Sequence, residues 1–479
     1  MELLFETRLD IASVEGKLYF RQIKPEIHPE PVLQPDRFAD GAGASIYGTV
    51  LYDGGRYRMW YQAWPKDWDG RDVDLVGYAE SDNGLDWHKP ELGIVAYGDQ
   101  PNNLCNLGFH SPSVFIDPHA PASHRYRATG YTGPGRKGAR QQIERPGYYT
   151  AHSADGLHWE LDQLAPRWAS GDVITSVYHP TQDRAIVALK FSPRVNGFQR
   201  RSIWNAELVD GEWSDAHAAL LPDEFDDICA VARGYASGDY YGMGMLPAGR
   251  GTVGLLWQFR HDLPRTGGAG VGVFGSVDVS LVYQAGRGDR WLHRPGREDF
   301  ISHVQTPWMA GGIYTASCPV EVGDEQWLYI TGTVHSHAWY LNEHWQLIEP
   351  RQREMIESGF SRIGVARWPK DRLFGFRADP EGVLELALRA QDNPFELKLN
   401  YRTDPGGSIR VELPGIAGYE LDNAVPLTGD SLSNTVAWAT GTAIPPQPAG
   451  VVRARLHLDC AEVYAYETSP ATAAEYSGR

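Results

Sequence analysis

The chain has 479 residues, 61 acidic side chains against 44 Lys and Arg, a formal charge of −17 and four cysteines. That length supports an ample buried core and two or three domains. The negative balance, with no basic cluster to offset it, excludes nucleic acid and anionic membrane as partners and favours a neutral or cationic small substrate. No run of 18 apolar residues is present to span a bilayer. The opening stretch Met1-Glu-Leu-Leu-Phe-Glu-Thr-Arg-Leu-Asp10 carries acids where a secretory signal needs a basic start and an apolar stretch. Cys105, Cys229, Cys318 and Cys460 are dispersed, without CxxC or metal spacing. A cytoplasmic protein with reduced, buried thiols is therefore expected. The surface is compatible with a homo-oligomer.

In chain order, the same unit is predicted five times: a short apolar strand, a polar turn, a second strand, then a β-type run and an Asp/Asn/Gly turn before a tryptophan. The strand pairs lie at 46–61, 113–131, 173–189, 228–244 and 314–332, and their hairpins end on Trp87, Trp159, Trp213, Trp291 and Trp345. These tryptophans are 72, 54, 78 and 54 residues apart. That period is too long for a helical solenoid but suits a four-stranded blade with variable loops. The first strand of each unit is rich in Val, Ile, Ala and Ser, as an innermost strand packed on both faces should be. The best helical stretch, 352–358, is two turns long. From about residue 372 the pattern alternates apolar and polar at 383–388, 395–400, 408–413 and 451–458, with turn signals at 404–407 and 445–448. The expected fold class is all-β: a five-bladed β-propeller over residues 1–370, including the N-terminal segment, followed by a β-sandwich over 371–479.

A five-bladed propeller with a C-terminal β-sandwich resembles the glycoside hydrolase clan of families 32 and 68, with family 43 sharing the propeller. The phrases Tyr52-Asp-Gly-Gly-Arg-Tyr-Arg-Met-Trp-Tyr61 and Ser81-Asp-Asn-Gly-Leu-Asp-Trp-His-Lys-Pro90 are similar to the first blade of family 32 enzymes, which cleave fructofuranosides. Pro426-Leu-Thr-Gly-Asp-Ser431 resembles bacterial family-32-like proteins. The resemblance implies an exo-acting glycosidase with an axial pocket and a small carbohydrate substrate, a furanoside or short oligosaccharide. The chain departs from family 32 at its three acid motifs. Phe38-Ala-Asp-Gly-Ala-Gly43 stands in place of the nucleophile motif and His110-Ser-Pro-Ser113 in place of Arg-Asp-Pro. Ser317-Cys-Pro319 echoes Glu-Cys-Pro without its Glu and in another blade. The family's substrate is therefore not carried over.

Glycoside cleavage needs two carboxyl groups across the scissile bond, one to protonate the leaving oxygen and one to attack carbon or activate water. On a propeller they belong where inner strands begin. Asp40 precedes the first inner strand among Gly41, Ala42 and Gly43, with Asp36 upstream, and matches the placement of the family nucleophile. Asp172 in Ser170-Gly-Asp-Val-Ile-Thr175 holds the acid's place before the third. Glu224, Asp226 and Asp227 lie in Asp223-Glu-Phe-Asp-Asp227 before the fourth, with Asp227 the favoured third acid. Each of these also reads as a turn or solvated-loop acid. His110 and Tyr314 mark the second and fifth blades as substrate-binding groups, while Glu321 reads as an outer-rim residue. Trp60, Trp64 and Trp68 offer stacking faces to sugar C–H edges, as do Trp308 and Trp339, although blade filling accounts for each equally. His335 and His337 end a strand of the fifth blade with both rings on one side, and no third ligand marks a metal site. No Walker loop or dinucleotide fingerprint is present; the glycine-dense 267–272 lies in a β context. No cofactor and no metal are expected. Retaining enzymes hold their carboxyl groups about 5–5.5 Å apart and inverting ones about 6.5–9.5 Å, so Asp40 would be nucleophile in one case and base in the other. Two further readings stay open: a phosphorylase or transglycosylase using Arg233 or Arg260 for phosphate, and a non-catalytic sugar-binding propeller.

Overall fold

The computed structural model describes residues 1–5, 11–195, 197–262, 274–288, 290–339, 350–447 and 450–471. The chain is nearly all β, with two eight-residue α-helices among the described residues, Glu224–Val231 and Pro350–Glu357. Five antiparallel sheets follow one another along it. The first runs through Gly43–Asp53, Arg56–Trp64, Val76–Ser81 and Leu104–Cys105. His110–Ile116, Tyr126–Thr132, Gly147–Ser153 and Glu160–Leu161 form the second, and Ile174–His179, Arg184–Phe191, Ser202–Val209 and Glu212–Trp213 the third. The fourth comprises Ser237–Ala248, Gly251–His261, Gly275–Gln284 and Leu292–His293. The fifth takes Gly312–Thr315, Glu325–Thr333 and Ser361–Pro369 from late in the chain and Glu26–Ile27 from its start.

The first strands of the five sheets meet in cyclic order. Val114 N donates to Thr49 Oγ1 at 2.9 Å, and Ser176 N to Ser113 Oγ at 2.7 Å. Thr175 Oγ1 donates to the Met243 carbonyl, Met245 N to Ser317 O at 2.8 Å, and Ser317 N to Gly48 O at 2.9 Å. Small hydroxylated residues let five strands approach one another while their polar groups stay satisfied away from water. Gly48 leaves no room for a side chain: a Cβ there would lie 2.0 Å from the Trp60 carbonyl oxygen.

The repeated tryptophan phrase builds the same turn twice. Gly84 N donates to Ser81 Oγ, Asn83 Oδ1 takes the amides of Leu85 and Asp86, and Trp87 Nε1 returns to Gly84 O. Gly156, Ser153, Asp155, Leu157, His158 and Trp159 repeat this bond for bond. A side-chain oxygen two residues before the hairpin closes replaces backbone partners, as Asx turns do. The third and fourth copies diverge: Trp213 packs edge-on against Phe115 and Trp168, and Trp291 Nε1 donates to Asn205 Oδ1. The fifth copy, ending at Trp345, and the glycine-dense 267–272 lie outside the described residues.

Two sequence expectations are corrected. The fourth inner strand, expected at 228–235, is the helix Glu224–Val231; the strand is Ser237–Ala248. Asp223 caps the helix by accepting from Phe225 N and Asp226 N, while Asp226 accepts from Asp223 N at 2.9 Å. This reciprocal cap, with two more acids in the first turn, Glu224 and Asp227, favours helix over strand. The turn expected at 404–407 is a register shift inside one long strand, Phe395–Glu412.

That strand belongs to a six-stranded antiparallel sheet with Ile11–Gln22, Phe374–Arg389, Val451–Pro470, Asp430–Thr435 and Glu2–Leu3. Its alternating apolar residues, among them Leu384, Leu397, Val411, Leu456 and Val463, bury into a core of their own. Phe5, Phe20, Phe374 and Tyr283 join this sheet to the fourth sheet through ring contacts of 4.8–5.8 Å. The N-terminal stretch is thus shared between the C-terminal sheet and the fifth.

Candidate active site

Side chains from all five sheets converge where the first strands begin. Trp64, at the end of its strand, meets the His110 ring at 5.9 Å; His110 meets Tyr47 at 5.6 Å. Tyr47 meets Tyr314 at 4.8 Å, and Tyr314 meets Tyr241 at 5.4 Å. Lys190 Nζ lies 4.3 Å from the centre of the Tyr241 ring and is ion-paired with Asp172. Asp172 keeps 31 % of its side-chain surface accessible. Yet Tyr47, Tyr148, Tyr241, His110 and Arg201 are all near enough to interact with its charge. Asp172 thus keeps accessible surface among side chains of the first, second, third and fourth sheets.

Local structure aims these groups. Ser111 has φ 56°, a left-handed conformation that costs a non-glycine residue about 1–2 kcal/mol. Its amide donates to Gln62 Oε1 and its hydroxyl to Ile174 O, and the irregularity separates His110 from the ladder that resumes at Ser113. The His110 Nδ1 contacts Val73 O at 3.2 Å. Burial holds its pKa below the ordinary histidine value. Burial also raises the Tyr47 and Tyr241 phenols well above their usual range, reinforced by neighbouring phenols and by Asp172. They remain hydrogen-bond donors at any physiological pH. Burial would push the Asp172 carboxyl up, but Lys190, His110 and Arg201 outweigh it and hold the group well below the usual carboxylate range. Asp172 is therefore a fixed anion. Arg201 lies 4.8 Å over Phe259 and 5.7 Å from the Tyr241 ring; its contact to Asp239 is long, 3.5 Å, and its Nε has no partner.

Of the residues singled out in the sequence, the structure brings Asp172, His110, Tyr314 and Trp64 together. Trp68 and His337 adjoin the same rings, 5.4 Å from Trp64 and 5.3 Å from Tyr241, and Phe360, 5.4 Å from Trp64, ties His335 and Trp339 to them. The remaining candidates are engaged in other contacts. Asp40 has no accessible surface: it accepts from Asp36 N, Arg37 N, Tyr61 Oη and Lys89 Nζ at 2.5–3.2 Å. Its lone pairs are spent on holding the 38–40 turn against the first sheet. Trp60 is fully buried, donates to Gly156 O at 2.7 Å and fills the seam between the first and second sheets. Asp226 is sealed by Tyr240, Gln258 and Arg297; Asp227 binds Arg200 and Ser237; Glu224 is exposed on the capped helix. These three belong to the helix cap and its anchors because the acid run starts a helix rather than a funnel mouth. His335 belongs to an aromatic cluster with Trp339, at 4.3 Å, and Phe360; burial lowers its pKa to about 3 and its Nε2 has no partner. Arg260 is locked between Asp278 and Asp299, and Arg233 is bound to Asp299, so neither is free for phosphate. Among the described residues, no group of three His, Cys, Asp or Glu side chains is placed to hold a metal ion.

The residues not anticipated are Tyr47, Tyr241, Lys190 and Arg201. A signal for the tyrosines was present: Ile46-Tyr47, Tyr240-Tyr241 and Ile313-Tyr314 repeat an apolar residue and a tyrosine at the start of three inner strands. Lys190 carried none, because it is a single charge near the end of a mostly apolar second strand.

No family profile and no curated protein matches the chain. Solved structures similar to it include one from the GH130 family of mannoside phosphorylases, which contains glycoside hydrolases that target β-1,2-mannosidic linkages in Candida mannan. It shares 12 % identity over 78 % of this chain and 98 % of that one, with a TM-score of 0.46. A glycosyl hydrolase from Bacteroides ovatus shares 13 % over 75 % and 96 %, with a TM-score of 0.45. The β-1,2-mannobiose phosphorylase from Listeria innocua shares 11 % over 72 % and 96 %, with a TM-score of 0.43. Among the described residues, no helix is long and apolar enough to cross a membrane.

Proposed function

We propose that the five sheets are the blades of a five-bladed propeller, that the C-terminal sheet folds into a sandwich beside it, and that the axial pocket cleaves a glycosidic bond. The observation that carries this reading is Asp172: a carboxylate held ionised by Lys190 of the third sheet, partly open to solvent, among rings from the first, second, fourth and fifth sheets. Phenols and an indole supply apolar faces and hydroxyl donors for a sugar, and the anion stabilises or deprotonates at the anomeric centre. A pocket floored by Tyr47, Tyr241 and Tyr314 suits exo attack on a terminal unit, with a furanoside or short oligosaccharide as substrate. Four unpaired cysteines fit a reducing compartment such as the cytoplasm. A screen of aryl furanosides and aryl pyranosides with purified protein tests the reading. Turnover of at least one class, abolished in Asp172→Asn, supports it; binding of sugars without turnover by the wild type refutes it in favour of a sugar-binding propeller.

One observation favours a second reading, phosphorolysis. Lys190 and Arg201 both lie over Tyr241 beside Asp172, and Arg201 is under-partnered, a better phosphate site than Arg233 or Arg260. Turnover that rises with inorganic phosphate and yields a sugar phosphate decides for it.

A further inference from the structure

We propose that Asp74, buried where the loop between Arg56–Trp64 and Val76–Ser81 meets the second sheet, is a positioning residue: it fixes the peptide that sets the tautomer of His110, so that His110 offers Nε2 to the substrate as a hydrogen-bond acceptor. The role of Nε2 rests on the glycoside-cleaving reading above, whereas the fixing of the ring does not.

The peptide between Val73 and Asp74 carries the connection. It is planar, and its N–H and C=O point in opposite directions. On one side Asp74 N donates to the Lys137 carbonyl at 2.7 Å. On the other, the Val73 carbonyl accepts from Gln62 Nε2 at 3.0 Å and meets His110 Nδ1 at 3.2 Å. A carbonyl oxygen has two lone pairs and no proton to give, so Nδ1 is the nitrogen that carries the proton in this contact. Burial holds the His110 pKa below the ordinary histidine value, which leaves the neutral ring a lone pair on Nε2. The Gln62 amide is oriented by the same loop. Its Nε2 also donates to the Leu75 carbonyl at 2.9 Å, and its Oε1 accepts at 3.2 Å from the amide of Ser111, the residue after His110.

The Asp74 side chain clamps this peptide to the second sheet. It accepts from Arg136 Nε at 2.7 Å and from Thr132 Oγ1 at 2.8 Å. Gln62, Val73, Asp74, His110, Ser111 and Thr132 each expose 3 % or less. Bulk water does not replace a bond lost among them, so losing one donor to Asp74 shifts the geometry of the rest. The charged and titratable groups facing Asp74 are Arg136, Tyr131 and, from its own loop, the half-exposed Asp72; Lys137 turns its Nζ to Asp67. The charges of Asp72, Arg136 and Asp172 act on His110 in turn. Burial lifts the Asp74 carboxyl to about 7, so above that pH it is the anion that Arg136 binds.

The test labels the protein with nitrogen-15 histidine and reads the two ring nitrogens of His110 by NMR, its signals identified by their loss in His110→Gln. At about pH 8 the wild type is expected to carry the proton on Nδ1, because the bond made by one ring nitrogen decides the tautomer. Asp74→Asn, and Thr132→Val, which removes one donor to the carboxylate, should each move part of that proton to Nε2. Thr132→Ser keeps the donor and should keep the wild-type pattern. On the glycoside that the wild type cleaves fastest, kcat/KM should fall about tenfold in Asp74→Asn and Thr132→Val, as expected for a misplaced group. A wild-type proton on Nε2, or His110 signals unchanged in both variants, overturns the proposal. Should Asp74→Asn fail to fold, Thr132→Val against Thr132→Ser decides alone. Unchanged signals with an active wild type leave the glycosidase reading standing and remove this inference. The expected signals in a protein that cleaves no glycoside leave the fixing of His110 standing and remove the glycosidase reading.

Discussion

Asp40 and Asp172 look alike in the sequence. Each follows small residues and precedes an apolar inner strand, and each stands at the entrance to a sheet. In the structure they differ in the one property that matters for chemistry. Asp40 is enclosed by four donors and exposes nothing, whereas Asp172 is bound by Lys190 on one side and open on the other. The pattern of small residues, acid and strand therefore specifies a position at the end of a sheet, and the surrounding side chains decide whether that position becomes a sealed anchor or an accessible anion.

The comparison can be broken by exchanging what each acid loses. Asp172→Asn should cut kcat by at least about 10²-fold with a smaller loss of stability than Asp40→Asn, because one side of the carboxylate already faces solvent. Asp40→Asn should do the reverse. Removing one charge from a buried pair with Lys89 costs about 3 kcal/mol of stability, read as a lowered denaturation midpoint, while kcat per folded molecule stays within a factor of about two. A similar kinetic loss in both variants would erase the distinction. Trp64→Ala, which removes a pocket wall and no titratable group, should raise KM about tenfold with kcat little changed, the signature of lost binding.

The smallest effect concerns pH. Burial pushes the Asp74 carboxyl up to about 7, against the opposing pull of Arg136 and Thr132. The folded state then binds more protons than the unfolded one between about pH 4 and 7, so this group makes stability fall as pH rises through that window, by at most about 1.4 kcal/mol per unit. Asp172 has the opposite sign: its lowered pKa gives stability that is present above the ordinary carboxylate value and lost as pH falls below it. Chemical denaturation of Asp74→Asn across pH 4–7 should show a flatter slope than the wild type. An unchanged slope would mean that Asp74 stays ionised throughout.

The β-rich units were legible because a strand pair and an Asx turn before tryptophan leave strong local marks, and Ser81–Trp87 and Ser153–Trp159 fold into identical turns. The helix at Glu224–Val231 was not legible because residues from 228 read as an inner strand and the acids before them as a loop, when Asp223 and Asp226 form a reciprocal cap. Half of the pocket was legible for a similar reason. His110 and Asp172 stand at strand starts, where the architecture directs attention, and Tyr314 shares the repeated tyrosine position with Tyr47 and Tyr241. Lys190 and Arg201 come from a second strand and a strand entry. Only the packing of the sheets against one another brings them to the same place, and no local pattern records that.

The most direct test is a crystal structure of Asp172→Asn soaked with the glycoside that the wild type cleaves fastest. The account predicts a sugar seated among Tyr47, Tyr241 and Tyr314, with its anomeric carbon facing residue 172. A sugar bound instead beside Asp40, or in the cleft of about 420 Å³ lined by Asp117, His119, Tyr178 and Asp210, would contradict it.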